Sequence, residues 1–207
     1  MSTALGLKLA FFALLVAFLG MRGYFAQKAS KSGHNASFTD SGEADRPGRA
    51  SGVILVIILL FMGGLLALYA GGPQALDWLR IPMPGWLSWL GVVLGAVAIG
   101  FQVWVHDTLQ KRWFAATGFG QDHVLITEGP YRWVRHPMYS GLMLYFIALA
   151  LVSAYWPFAV LAFLMIPLLY RSATSEEALL VERYPIQYSE YTRRTPRLIP
   201  RLRSPGA

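Results

Sequence analysis

The 207-residue sequence has no cysteine, and only 14% of its residues are charged. The first absence excludes disulfides, thiolate metal sites and a cysteine nucleophile. The second, with 55% hydrophobic residues and a mean hydropathy of +0.44, takes the chain out of the usual soluble range and towards the bilayer. Histidine is scarce too. His34, His106, His123 and His136 are scattered without i, i+4 pairing or a matching carboxylate pattern, so no metal centre is expected. There is no internal repeat and no mid-membrane charge, which argues against a transporter built from duplicated halves.

What the chain does have is long apolar runs. A span needs roughly 20 such residues at 1.5 Å each. "LAFFALLVAFLGM", between Lys8 and Arg22, is short but crosses if Lys8 snorkels to the interface. With one charged residue before it and no A-x-A site after it, it reads as an uncleaved anchor rather than a signal peptide. A second span lies within "ASGVILVIILLFMGGLLALYAGG" and a third covers 81–105. Tyr139 to Tyr170 is uncharged for 32 residues, too long for one span and barely enough for two. It predicts a tight helical hairpin turning at Trp156 and Pro157.

The basic residues alternate with these spans. Five Lys or Arg fall between the first two spans, one between the next two, four before the hairpin, none at its turn and seven from Arg171 onward. The positive-inside rule then places the amino terminus outside, with the 22–50 loop, the 106–138 loop and the tail in the cytoplasm. Basic loops facing anionic lipid account for the net charge of +7, so no nucleic-acid partner is expected. The 22–50 loop is rich in Gly, Ser, Asn and Asp and reads as flexible; its "NAS" sequon is given no weight on the cytoplasmic side. Gly91 and Gly95 form a small-xxx-small pair suited to close helix packing.

"GPYRWVRHPMYSG", residues 129–141, sets two arginines and a histidine against the start of the hairpin. Pro137 disfavours helical geometry at His136 and is itself at home as a first helical residue. The free N–H groups of that turn and the positive helix end attract an anionic group at the membrane boundary. Upstream, "HVLIT" and the Gly-Pro turn fold His123 and Tyr131 back towards it. The hairpin's other end returns Glu176 and Glu177 to Arg135, His136 and Tyr139. Two carboxylates there are costly unless paired or bound to a ligand. Cationic, anionic and aromatic groups together suit a zwitterionic aromatic cofactor.

"HVLITEGPYRWVRHPMYSG", an apolar hairpin and "EEALLVERYPIQYSEYTRRTPRLIP" resemble, in order and spacing, the isoprenylcysteine carboxyl methyltransferase family and related membrane methyltransferases acting on phospholipid amines or small thiols. The match covers 123–200. The resemblance implies S-adenosylmethionine as cofactor, in a pocket lined by His123, Val124, Leu125, Ile126, Tyr131, His136, Pro137, Met138, Tyr139 and Glu176. The family holds its acceptor carboxylate with an arginine four residues before that glutamate. Here that position is Ser172, and Arg171 lies one place, about 100° of helix, away. Arg171, Arg135 and Glu177 are the candidate catalytic residues: the arginines to orient a carboxylate, and Glu177, with Glu176 or His123, to take the proton from an amine or thiol. A Rossmann-type site is discounted, since "GFGQ" at 118–121 lacks the strand before it and the helix after it.

The expected molecule is an all-α integral membrane protein of about five spans. Residues 1–105 form three amino-terminal spans; 106–207 form a methyltransferase core of cofactor loop, hairpin 137–171 and cytoplasmic helical tail. The expected activity is methylation of a lipophilic, isoprenylcysteine-like carboxylate that enters from the bilayer, in a bacterial inner membrane. A phospholipid amine, a small thiol or a non-catalytic scaffold are the alternatives.

Overall fold

The computed structural model describes residues 3–31, 63–71, 74–117 and 125–201. Among them all regular structure is helical. The helices are α1 (Thr3–Lys31), α2 (described over 63–71), α3 (Gly85–Thr117), α4 (Pro137–Ser153), α5 (Trp156–Arg183) and α6 (Pro185–Arg194), with 3-10 turns at Gln74–Leu79 and Gly129–Arg132. Stretches Thr3–Lys28, Gly85–Gln110 and Trp156–Arg183 are long and apolar enough to cross a membrane, and Pro137–Ser153 is a shorter apolar helix. The protein is an all-α integral membrane protein. Most of the expected second span, with the 32–50 segment, lies outside the described residues.

Contacts fix the helix directions. Gly6 meets Trp89, Gly95 meets Leu14, and Arg22 lies 3.4 Å from His106, so α1 and α3 run parallel. Lys8 Nζ donates to Ala70 O at the end of α2, which runs the other way. Gly91 against Leu151 and Gly141 against Phe101 make α3 and α4 antiparallel. The end of α3, the start of α4 and the end of α5 therefore share one face of the bundle. On the other face Trp78, Trp86, Trp89 and Trp156 are exposed, as an interfacial aromatic belt should be.

The core lies where α1 to α5 meet, with Ala98 of α3 fully buried in it. Phe11 is fully buried and its ring meets Tyr69 at 4.6 Å and Phe158 at 5.1 Å. Phe18 stacks on Tyr145 at 4.2 Å, and the Tyr145 hydroxyl donates to Leu14 O at 3.2 Å. An apolar helix needs such polar tips satisfied within the protein, because lipid offers no partner.

Four expectations need correction. The hairpin turns at Ala154 and Tyr155: Ala154 takes the left-handed conformation, φ 54°, and its N–H closes α4 on Ala150 O. Trp156 and Pro157 instead open α5, where proline lacks an N–H that would have no partner. α5 does not stop at Tyr170 or 171. It continues to Arg183, so Glu176 and Glu177 sit in the spanning helix and not in a separate tail. α3 begins at Gly85 and runs past 105 to Thr117, and α1 continues past Arg22 to Lys31, taking the first part of the expected 106–138 and 22–50 loops. Apolar runs end where water begins; the helix need not.

Candidate active site

α4 begins where the sequence places it, with His136 as its N-cap and Pro137 as first residue. The His136 side chain does not cap that turn. Gly129, φ +60°, with Pro130, opens the 3-10 turn that carries Tyr131 and Arg132 to it. At 1.5 Å per residue, Glu176 lies about 30 Å along α5 from Trp156, at the far boundary of a bilayer core. The two helix ends meet there.

The adjacent glutamates do different things. Glu177 continues the buried line Leu169, Ala173, Glu177 and its side chain is 10% exposed. Its Oε1 accepts from Arg135 Nε at 3.0 Å and Arg197 Nε at 3.0 Å, and its Oε2 accepts from Arg197 at 2.6 Å. His136 Nε2 is 3.1 Å from the same Oε1. Glu176, turned about 100° around the helix, keeps a side chain 49% exposed. It accepts from the Tyr139 hydroxyl, and its Oε2 lies 3.4 Å from His136 Nδ1. The Tyr139 and His136 rings stack, 5.7 Å apart and 16° from parallel. So one carboxylate is neutralised inside and the other is presented at the surface.

The tail closes over this arrangement. Arg135 N–H donates to Pro196 O at 2.9 Å and His136 N–H to Arg197 O at 3.0 Å. Arg135 also donates to Thr195 O at 2.6 Å, Ser140 Oγ to Leu198 O at 2.6 Å, and the Tyr191 hydroxyl to Tyr131 O at 2.5 Å. The Arg197 guanidinium lies over the Tyr170 ring at 4.8 Å. Hydrogen bonding to Glu177 raises the pKa of Arg197. Burial, with Glu177 nearby, pushes the Tyr188 hydroxyl up to about 12. A neutral phenol beside the ion pair is thereby kept.

The structure brings Tyr131, Arg135, His136, Pro137, Met138, Tyr139, Glu176 and Glu177 to one place. Leu125 and Ile126 are half-buried in the irregular segment before the Gly-Pro turn; His123 and Val124 lie outside the described residues. Arg171 is exposed, two residues and so about 200° of helix away from Ala173, and its side chain joins none of the contacts just described. Arg197 carries two of the strongest bonds to Glu177, and the sequence reading assigned it no role although it stands in the quoted tail "RTPR".

A family model described as Phospholipid methyltransferase matches residues 86–187, from the start of α3 through both glutamates into α6. Protein-S-isoprenylcysteine O-methyltransferase of Schizosaccharomyces pombe is 31% identical over 81 residues, 39% of this chain and 34% of that protein. The chain belongs to this family of membrane methyltransferases. The match leaves α1 and α2 outside it and holds the whole meeting point of α4 and α5. Two further relatives are the Cobalt-zinc-cadmium resistance protein CzcN of Cupriavidus metallidurans, 34% identical over 122 residues, and the Nickel-cobalt-cadmium resistance protein NccN of Alcaligenes xylosoxydans xylosoxydans, 29% over 117. Each match takes 56% of this chain, and the chain spans about half the length of these two relatives, 52% and 54%.

Proposed function

We propose that this membrane methyltransferase uses S-adenosylmethionine and methylates the carboxylate of a lipophilic, isoprenylcysteine-like acceptor. The observation that supports it most is the meeting of the start of α4, the stacked His136 and Tyr139 rings, and the half-exposed Glu176 carboxylate. A zwitterion with an aromatic base fits these groups: the helix start suits its carboxylate, Glu176 its ammonium, and the rings its apolar faces. Tyr131, Pro137, Met138, Leu125 and Ile126 would complete the wall, with His123 and Val124 adjoining in sequence.

Bound there, the cofactor supplies a methyl group on sulfonium whose carbon–sulfur bond breaks with the electron pair retained by sulfur. An acceptor carboxylate forms its new bond with an oxygen lone pair and releases no proton, so the residues need only hold it in line and dry. An amine acceptor would need its proton taken. Glu176 suits that task better than Glu177, whose oxygens are already held by two guanidinium groups. Arg135 and Glu177 act in this reading by holding His136 and the tail in place.

Methyl transfer from a radiolabelled donor to an S-prenylated N-acylcysteine, set against transfer to phosphatidylethanolamine vesicles, tests the acceptor. Label in the prenylated acid supports the carboxylate; label only in the phospholipid moves the assignment to the amine, which the matched family description also suits. The proposal places the protein in a bacterial inner membrane with a cytoplasmic site and an outside amino terminus, the orientation that the basic loops favour. A cysteine-free chain makes this easy to check. A membrane-impermeant thiol reagent should label Pro82→Cys but not Ser189→Cys in intact spheroplasts, and the reverse pattern would invert the topology.

A further inference from the structure

A cleft of about 170 Å³ opens between α1, α3 and α4, lined by Phe18, Arg22, Gln102, Met138, Tyr139 and Leu142. Each helix contributes through residues one turn apart, Phe18 with Arg22, Gln102 with His106 behind it, and Met138 with Leu142. Tyr139 and Met138 also belong to the candidate cofactor wall, so the cleft adjoins that site from the α1 side. Arg22 is half-buried. A headgroup anchor would snorkel outwards; this guanidinium is instead held 3.4 Å from His106 Nε2. His106 Nδ1 lies 2.8 Å from Gln102 O and must donate to that carbonyl, which leaves Nε2 to accept from Arg22. Gln102 is 1% exposed; its Nε2 donates to Met138 O at 3.0 Å, and its Oε1 is buried with no hydrogen-bond partner among the described residues. A buried acceptor left unmade is costly, so a ligand N–H at that atom would be rewarded.

We propose that this cleft is the head-group subsite for the methyl acceptor, with Arg22 as the cation that holds its anionic group. The assignment rests on the methyltransferase reading above and gives it the cation that Arg171, facing away, does not supply. His106 and Gln102 are positioning residues: the first aims Arg22, the second ties the cleft to the start of α4. The occupant is an amphiphile whose head combines an anion with a neighbouring N–H donor and whose hydrocarbon chain runs along Phe18 and Leu142 towards the bilayer. A prenylated amino-acid carboxylate and a phospholipid phosphate beside an ammonium both carry that chemistry.

The test uses the full chain in detergent and needs no turnover. Thermal stability is followed with an S-prenylated N-acylcysteine as free acid and as its methyl ester, and in parallel with phosphatidylethanolamine against diacylglycerol. The parent should be stabilised by one amphiphile that carries the anionic group and not by its counterpart that lacks it, with about a tenfold or larger difference in half-saturating concentration. The pair that shows the difference identifies the source of the anion. Arg22→Gln should abolish it, Arg22→Lys should restore part of it, and S-adenosylmethionine binding should stay within about twofold in both. Equal response to charged and neutral forms by the parent, or a difference that survives Arg22→Gln, would overturn the assignment. A parent that does not bind S-adenosylmethionine would instead strike the methyltransferase reading, and an Arg22-dependent response would then mark an amphiphile site that is not an acceptor subsite.

Discussion

Glu177→Ala is expected to destabilise the protein by about 3–5 kcal/mol, the usual cost of leaving buried charges without their partner. The substitution strands Arg135, whose side chain is 10% exposed, and Arg197, which is 25% exposed. It also removes the atom that orients His136 through Nε2. Arg197 and Arg135 draw the tail onto the loop before α4, so cooperative loss of residues 192–198 from that loop should accompany the fall in stability. Glu176→Gln is the matched control. Its side chain is half-exposed, and solvent screening limits the effect on stability to about 1 kcal/mol or less. Thermal unfolding in detergent should therefore separate two neighbouring glutamates by many degrees. If Glu177→Ala melts with Glu176→Gln, Glu177 is not the hub that the distances describe. A triple replacement of Arg135, Glu177 and Arg197 by methionine should be milder than Glu177→Ala alone, because no unpaired charge remains.

Gly91→Val carries the second large effect. A Cβ at Gly91 would stand 2.7 Å from Leu151 Cβ, 2.9 Å from Val152 N and 3.0 Å from Ala148 O. Two of those three atoms belong to the backbone of α4, so no side chain can swing aside. Overpacking of this kind costs about 1–3 kcal/mol, and here it also wedges apart the two antiparallel helices that carry the cleft and the site. Gly95 differs. Its added Cβ would meet only the Leu14 side chain, which can move. Gly100 meets nothing within 4 Å, and Gly100→Ala should gain up to about 1 kcal/mol of helix propensity. Melting temperatures in the order Gly100→Ala, Gly95→Ala, Gly91→Val, highest to lowest, are expected; a Gly91 variant as stable as the parent would show that α3 and α4 do not pack this closely.

How much of this was legible in the sequence depends on which physics wrote it. The hairpin was readable because 32 uncharged residues exceed one span. The meeting of Arg135 and His136 with Glu176 and Glu177 then followed from geometry alone, since a tight turn returns the second helix to the start of the first. Helix ends were not readable from hydropathy. α1, α3 and α5 all continue through charged residues, held by backbone hydrogen bonds that do not depend on the surrounding solvent. The difference between the two glutamates was hidden for another reason: only the inward line through Leu169 and Ala173 decides which carboxylate is buried. Arg197 stood in the quoted tail, yet nothing local says that a segment 20 residues on will fold back onto Glu177. The Arg22 to His106 contact, across 84 residues, joins two spans with no shared motif.

The central claim is a cofactor site built from the start of α4 and the carboxylate of Glu176. Equilibrium binding of S-adenosylmethionine to the purified full chain in detergent tests it most directly, with His136→Ala, Glu176→Ala and the exposed Glu190→Gln of α6 measured beside the parent. The account predicts binding by the parent and Glu190→Gln, with affinity weakened by about tenfold or more in the other two while their folds persist. A folded parent that does not bind, or binding that neither His136→Ala nor Glu176→Ala weakens, would contradict it.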